Sequence, residues 1–109
     1  MSKSALPRKK AVLRAQVIKS LAHPSRILMV DALAGGEKCV CELAEVVGAD
    51  MSTVSKHLSL LKSAGLVAVE KRGLNQYYSL ACPCLTGFFR CVDGISKKNS
   101  RSLREACGL

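Results

Sequence analysis

No run of apolar residues approaches the ~20 that a membrane-spanning helix needs, so no membrane partner is expected. The first ten residues carry Lys3, Arg8, Lys9 and Lys10 with no uninterrupted apolar stretch behind them. That argues against a secretory signal and makes the cytoplasm the expected compartment. The Cys-x-x-Cys spacing is missing, and with it the zinc-ribbon and thioredoxin readings. No cofactor loop and no acid–base pair is evident, so neither an enzyme nor a permanent cofactor is expected. There is no internal repeat and no low-complexity segment. At 109 residues the chain has the length of one domain, which excludes a multidomain machine or a large α/β barrel.

Acidic residues are scarce: 8 against 17 basic, a net charge of +9. The imbalance is uneven along the chain. Residues 1–20 hold six basic groups and no acid, whereas residues 21–50 hold five acids against two bases. The last two stretches, 51–79 and 80–109, each carry a net +3. An acidic segment between basic ones suggests one face for a polyanion and another for a different purpose, and nucleic acid is the commonest polyanionic partner of a small basic domain.

Six cysteines stand at 39, 41, 82, 84, 91 and 107. Leu, Val, Ile and Ala are plentiful, so the chain has no need of a disulfide scaffold. With only two histidines, the thiols favour soft, thiophilic metals or redox chemistry over a His-rich zinc site.

Apolar spacing places helices along most of the chain. Leu13, Val17 and Leu21 form a stripe over 11–22, widened by Val12 and Ile18, and His23-Pro24 ends it. A second helix over 24–34 starts at Pro24, carries Ile27, Leu28, Val30 and Leu33, and stops at Gly35-Gly36. Val40, Leu43, Ala44 and Val47 mark a third over 39–47. Gly48-Ala49-Asp50 is a three-residue turn, after which Ser52 can cap a helix running to Ala64. In that helix Val54, Leu58 and Leu61 face inward, while Ser52, Ser55, Ser59 and Lys62 form a small, polar outer stripe suited to a DNA major groove.

After Gly65 the period changes to 2. Residues 66–71 and 76–81 read as strands joined by Arg72-Gly73-Leu74-Asn75, a hairpin with a basic tip. A last helix is expected over 84–98, with Leu85, Phe88, Phe89, Val92 and Ile95 apolar. Residues 1–10 read as a loose basic arm and 99–109 as a polar tail. The architecture expected is mainly α with a small β-hairpin: a winged helix-turn-helix of about five helices and a two-stranded wing. The stripes of the first and last helices are broader than a monomer needs, so they are expected to pair in a homodimer.

Specific segments carry a family resemblance. Leu21-Ala22-His23-Pro24-Ser25-Arg26-Ile27-Leu28, Cys39-Val40-Cys41-Glu42-Leu43-Ala44, the helix from Ser52 to Leu61 followed by Gly65-Leu66-Val67, and Gly73 through Leu80 resemble the ArsR/SmtB family of metal-responsive repressors. The likeness covers roughly residues 11–81. It implies a homodimer that binds double-stranded operator DNA and leaves it when a metal or metalloid binds. The DNA-facing candidates on the helix are Ser52, Thr53, Ser55, Lys56, His57, Ser59 and Lys62. Those on the hairpin are Lys71, Arg72 and Asn75, with Arg72 expected on phosphate without sequence preference.

In arsenic- and cadmium-type members the cysteine box binds the inducer. The resemblance therefore implies that Cys39 and Cys41 ligate trivalent arsenic or antimony, or else cadmium or lead, with a third thiol from Cys82, Cys84 or Cys91. The chain departs from both types: Ala44 stands where the arsenic type often has its third cysteine, and no cysteine precedes Cys39. Residues two apart on a helix lie about 200° apart around its axis, so either Cys39 lies outside the helix start or binding distorts the first turn. Cys82, Cys84 and Cys91 read as a separate site, as the source of a thiol that completes the Cys39/Cys41 site, or as packing residues, and Cys107 as incidental. A redox or persulfide sensor on the same scaffold is the alternative, although a Cys-x-Cys disulfide is strained.

Overall fold

The structure, a computed structural model, describes residues 5–106, and the side chains of residues 5–99. Cys107 lies outside the described residues. Two helices, α1 (Arg8–Leu21) and α2 (Pro24–Ala34), precede a two-residue strand β1 (Lys38–Cys39). Then come α3 (Val40–Val47), α4 (Met51–Ser63), the hairpin strands β2 (Val67–Arg72) and β3 (Asn75–Leu80), and the long α5 (Leu85–Ala106).

Helix boundaries follow local hydrogen bonding. The Pro7 carbonyl accepts from the amides of Lys10 and Ala11 at 3.0 and 3.1 Å, so α1 begins at Arg8 rather than at residue 11. His23 caps α2: its Nδ1 accepts from the Ser25 amide at 3.1 Å, with Pro24 in the first turn. Gly48 closes α3 at φ 72°, a left-handed position that suits glycine. The cap of α4 is Asp50 rather than Ser52; its Oδ1 accepts from the Thr53 amide at 2.7 Å. Asp three residues before Thr53 satisfies an orphan amide, and the cap lies two residues earlier than expected. At the other end of the chain α5 runs on from the expected 98 to Ala106.

The sheet has three strands, not two, in the order β1-β3-β2, all antiparallel. Lys38 pairs with Tyr78 and Cys39 with Tyr77 on one side of β3, while Val67 to Arg72 pair with Leu80 to Asn75 on the other. A two-residue strand has no periodicity to read, which is why it was not expected. The hairpin turns through Gly73 and Leu74; Gly73 sits at φ 62°, the glycine-first pattern of a type II′ turn.

The core lies where α2, α3, α4 and the sheet meet. Met29, Val30, Leu43, Val54, Leu58 and Leu61 are fully buried, with Leu21, Leu33, Leu66, Val67, Tyr78 and Leu85 closing the periphery. The inner stripe of α4 is thus clamped between α2 and α3, and its opposite face is left to solvent. In the monomer α1 and α5 bury little: Leu13 and Ile95 are 56% and 60% exposed, and Val12, Ile18, Phe88 and Val92 are exposed with them.

Leu58→Ala removes a fully buried side chain from the centre of this core. Urea denaturation is expected to show a loss of about 2–5 kcal/mol, and a loss below 1 kcal/mol would mean that α4 is not anchored through this stripe.

Candidate functional site

The outward face of α4 carries Ser52, Thr53, Ser55, Lys56, Ser59 and Lys62, all exposed. Their small hydroxyls and two flanking lysines lie on a helix held rigidly from behind, which is the form of a helix that enters a major groove. His57 departs from this set. It is half-buried, its ring lies 4.5 Å from that of His23, and its buried Nδ1 has no hydrogen-bond partner among the described residues. Position 57 is three after Val54 and four before Leu61, so it belongs to the inner stripe, a signal the sequence carried. Burial first, then the charges of His23 and Arg26, hold the imidazole below its ordinary value of 6.5. Of the two readings open for His57, DNA proximity and packing, its half-burial against His23 favours packing at the α1–α2 corner.

Arg72 is also committed elsewhere. One guanidinium nitrogen donates to Glu37 at 3.0 Å and to Glu70 at 3.0 Å, the other donates to Glu37 as well, and the group lies 4.9 Å over the Tyr77 ring. Both carboxylates raise the Arg72 pKa, and Arg72 in turn lowers that of Glu70. Two carboxylates around one guanidinium leave no net positive charge for phosphate. Arg72 fastens the end of β2 to the segment before β1, a pairing across 35 residues that local patterning does not reveal. Lys71 and Asn75 remain exposed on the wing, with Leu74 fully exposed at its tip.

The thiols fall into two separated groups. Cys39 is the last residue of β1 and the N-cap of α3, so it does lie outside the helix start; Cys41 is in the first turn. The Glu42 carboxylate reaches back to accept from the Cys39 amide at 3.2 Å, which lowers its pKa and fixes this turn. Cys39 and Cys41 line one cavity of about 300 Å³ with Met51, Lys71, Leu74, Asn75 and Gln76.

Cys82 lies at the far end of the sheet, half-buried with its Sγ 4.0 Å from the Gly65 carbonyl. From Tyr77, the partner of Cys39, β3 and its paired extension to Ala81 span about 13 Å. Cys84 immediately precedes α5 and Cys91 is on it; both are exposed. Within one chain the structure does not bring these three to Cys39 and Cys41. Among the described residues no cluster of three or more His, Cys, Asp or Glu side chains is placed to hold a metal ion. No helix among the described residues is long and apolar enough to cross a membrane.

Comparison with known proteins gives a consistent picture. Residues 23–69 match the family described as bacterial regulatory protein, arsR family. The chain is 45% identical over 67 residues to a Synechocystis transcriptional repressor SmtB homolog, covering 62% of this chain and 51% of that protein. It is 39% identical over 67 residues to a Staphylococcus aureus cadmium resistance transcriptional regulatory protein, a CadC homolog, covering 61% and 55%. The chain thus spans about half the length of these curated relatives. A homodimeric winged helix-turn-helix DNA-binding domain of Mycobacterium bovis, a possible ArsR-family regulator, superposes with a TM-score of 0.74 at 32% identity, covering 90% of this chain and 91% of that one. The fold is therefore that of a winged helix-turn-helix.

The Asp50 cap makes a pH-dependent contribution. The Thr53 amide hydrogen bond, foremost among several, lowers the carboxyl pKa below its ordinary 3.8. Its stabilisation is present above that value and is lost as pH falls through the lower folded value. Asp50→Ala is expected to lower the Tm at pH 7, with the difference from wild type shrinking in acid; a difference that stays constant to pH 2 would remove the carboxylate from the cap.

Proposed function

The chain belongs to the ArsR family of bacterial regulatory proteins, and from that premise we propose that it is a DNA-binding transcriptional repressor, not an enzyme, induced by a thiophilic metal or metalloid. The observation that carries this reading is the arrangement of α3 and α4. The exposed hydroxyl and lysine face of α4 is backed by a helix that carries one thiol at its N-cap and one in its first turn. Operator DNA occupies the face of Ser52, Ser55, Lys56, Ser59 and Lys62, with Lys71 and Asn75 of the wing on the adjacent backbone.

Cys39 and Cys41 are the inducer ligands. Trivalent arsenic or antimony is the class first proposed, since such ions take three thiolates, and relatives named for SmtB and for cadmium resistance support a metal effector. The third thiol, Cys82, Cys84 or Cys91, then comes from a second protomer, because β3 separates the two groups within one chain. Thiolates are required, so binding releases protons and weakens as pH falls. No observation favours the redox alternative over this reading.

A homodimer accounts for the exposed apolar faces of α1 and α5, and the homodimeric M. bovis domain supports it. Two copies of α4 then reach successive major grooves about 34 Å apart, on an imperfect palindrome. Sedimentation at micromolar concentration is expected to give a dimer; a monomer with and without DNA would contradict the assembly.

Fluorescence anisotropy on operator DNA tests the remainder. Ser55→Ala and Lys56→Ala are expected to weaken DNA binding and leave arsenite binding intact. Lys71→Gln should reduce the salt slope by about one unit, whereas Arg72→Gln should not. The Cys39→Ser/Cys41→Ser variant should bind DNA and no longer release it with arsenite, antimonite, cadmium or lead. Release at wild-type concentrations by that variant would move the sensor off α3.

A further inference from the structure

A third sulfur stands beside Cys41. The Cys41 Sγ lies 3.8 Å from the Sδ of Met51, and Cys39, Cys41 and Met51 line the same cavity. Resting on the reading that Cys39 and Cys41 are the sensing thiols, we propose that Met51 is a third ligand of this site and that the set Cys39–Cys41–Met51 takes a soft monovalent cation, Cu(I) or Ag(I).

Geometry, donor chemistry and charge agree on this. Two sulfurs sharing one ion at bonds of ~2.3 Å are separated by about 4 Å in trigonal geometry. The Cys41–Met51 spacing of 3.8 Å is already that of a ligand pair. Thiolate and thioether together are the donor set that selects Cu(I). No imidazole is among the described residues lining the cavity, and the Glu42 carboxylate beside Cys39 is engaged by the Cys39 amide, so soft sulfur donors predominate. Trivalent arsenic wants a third thiolate, which a thioether is not. Two thiolates and one monovalent cation carry a net charge of −1, and Lys71 on the cavity wall offsets it. As the cation enters, two thiol protons leave.

The site also has mechanical consequences. Cys39 belongs to β1, Cys41 to the first turn of α3, and Met51 is the first residue of α4. One ion would tie the wing, the supporting helix and the start of the DNA-facing helix together. Fixing Met51 to Cys41 sets the angle at which α4 leaves the Gly48–Asp50 turn. The response to Cu(I) therefore needs no residue from a second protomer.

The test is anaerobic Cu(I) titration of the full, reduced chain against bicinchoninate, with Cu K-edge absorption counting sulfur ligands. Met51 is 50% exposed, so Met51→Leu keeps the fold. Wild type is expected to bind one Cu(I) per chain through three sulfurs. Met51→Leu should bind it at least ~10-fold more weakly through two, and Met51→Cys should restore tight three-sulfur binding. Arsenite affinity should be the same in Met51→Leu and wild type. Equal Cu(I) affinity and equal sulfur count in wild type and Met51→Leu would overturn the role of Met51, as would failure of wild type to bind Cu(I). If in addition Cys39→Ser/Cys41→Ser lost arsenite-driven DNA release, the sensing thiols would stand and only the Met51 ligand would fall. If that double variant still released DNA, the reading of the sensing thiols itself would fall.

Discussion

Cys39 is a member of two elements at once, and much of the site depends on that. Its backbone pairs with Tyr77 to add a third strand to the wing, and one residue later the chain is helical, with Cys39 as the N-cap of α3. The Glu42 carboxylate closes the turn on the Cys39 amide. A short strand and a short helix thus share a rigid joint: α3 cannot rotate without straining the pairing of Lys38 and Cys39 with β3. Leu43 of that helix is buried in the same core as Val54, Leu58 and Leu61 of α4. A force applied at the Cys39–Cys41 turn reaches the outward face of α4 through close-packed side chains, which yield little.

Charge is sorted on the same frame. The acid-rich stretch 21–50 makes up α2, the Arg72-binding segment and α3, behind α4, while Lys56, Lys62 and Lys71 lie on α4 and the wing. The acids near the wing are not idle: Glu37 and Glu70 pair with Arg72 and brace the end of β2. What remains positive on this side is carried by lysines on exposed positions, which a polyanion can reach.

The sequence made the helices legible because their burial is periodic. The inner stripe Val54, Leu58, Leu61 and the outer stripe Ser52, Ser55, Ser59, Lys62 both fall where the spacing puts them. It was less informative where an element is too short or a partner too distant. β1 has two residues and no period. The Glu37–Arg72 pair joins positions 35 apart. His57 is ambiguous by position: its spacing to Val54 and Leu61 marks the inner face, while it also lies one residue from the polar stripe. For the thiols, spacing limited how Cys39 and Cys41 could sit on a helix, and the N-cap position resolves it. No sequence rule pointed to Met51, because its nearness to Cys41 comes from the turn that folds α4 back against α3.

The central claim is that the ligand at Cys39 and Cys41 and the DNA on α4 act on each other through the α3–α4 joint. Thermodynamic linkage makes that claim measurable from either side. The most direct measurement is the affinity of the protein for arsenite, and separately for Cu(I), with and without saturating operator DNA. The account predicts that DNA weakens the inducing ligand by the same factor by which that ligand weakens operator binding. Identical ligand affinities for the free and the DNA-bound protein would contradict it.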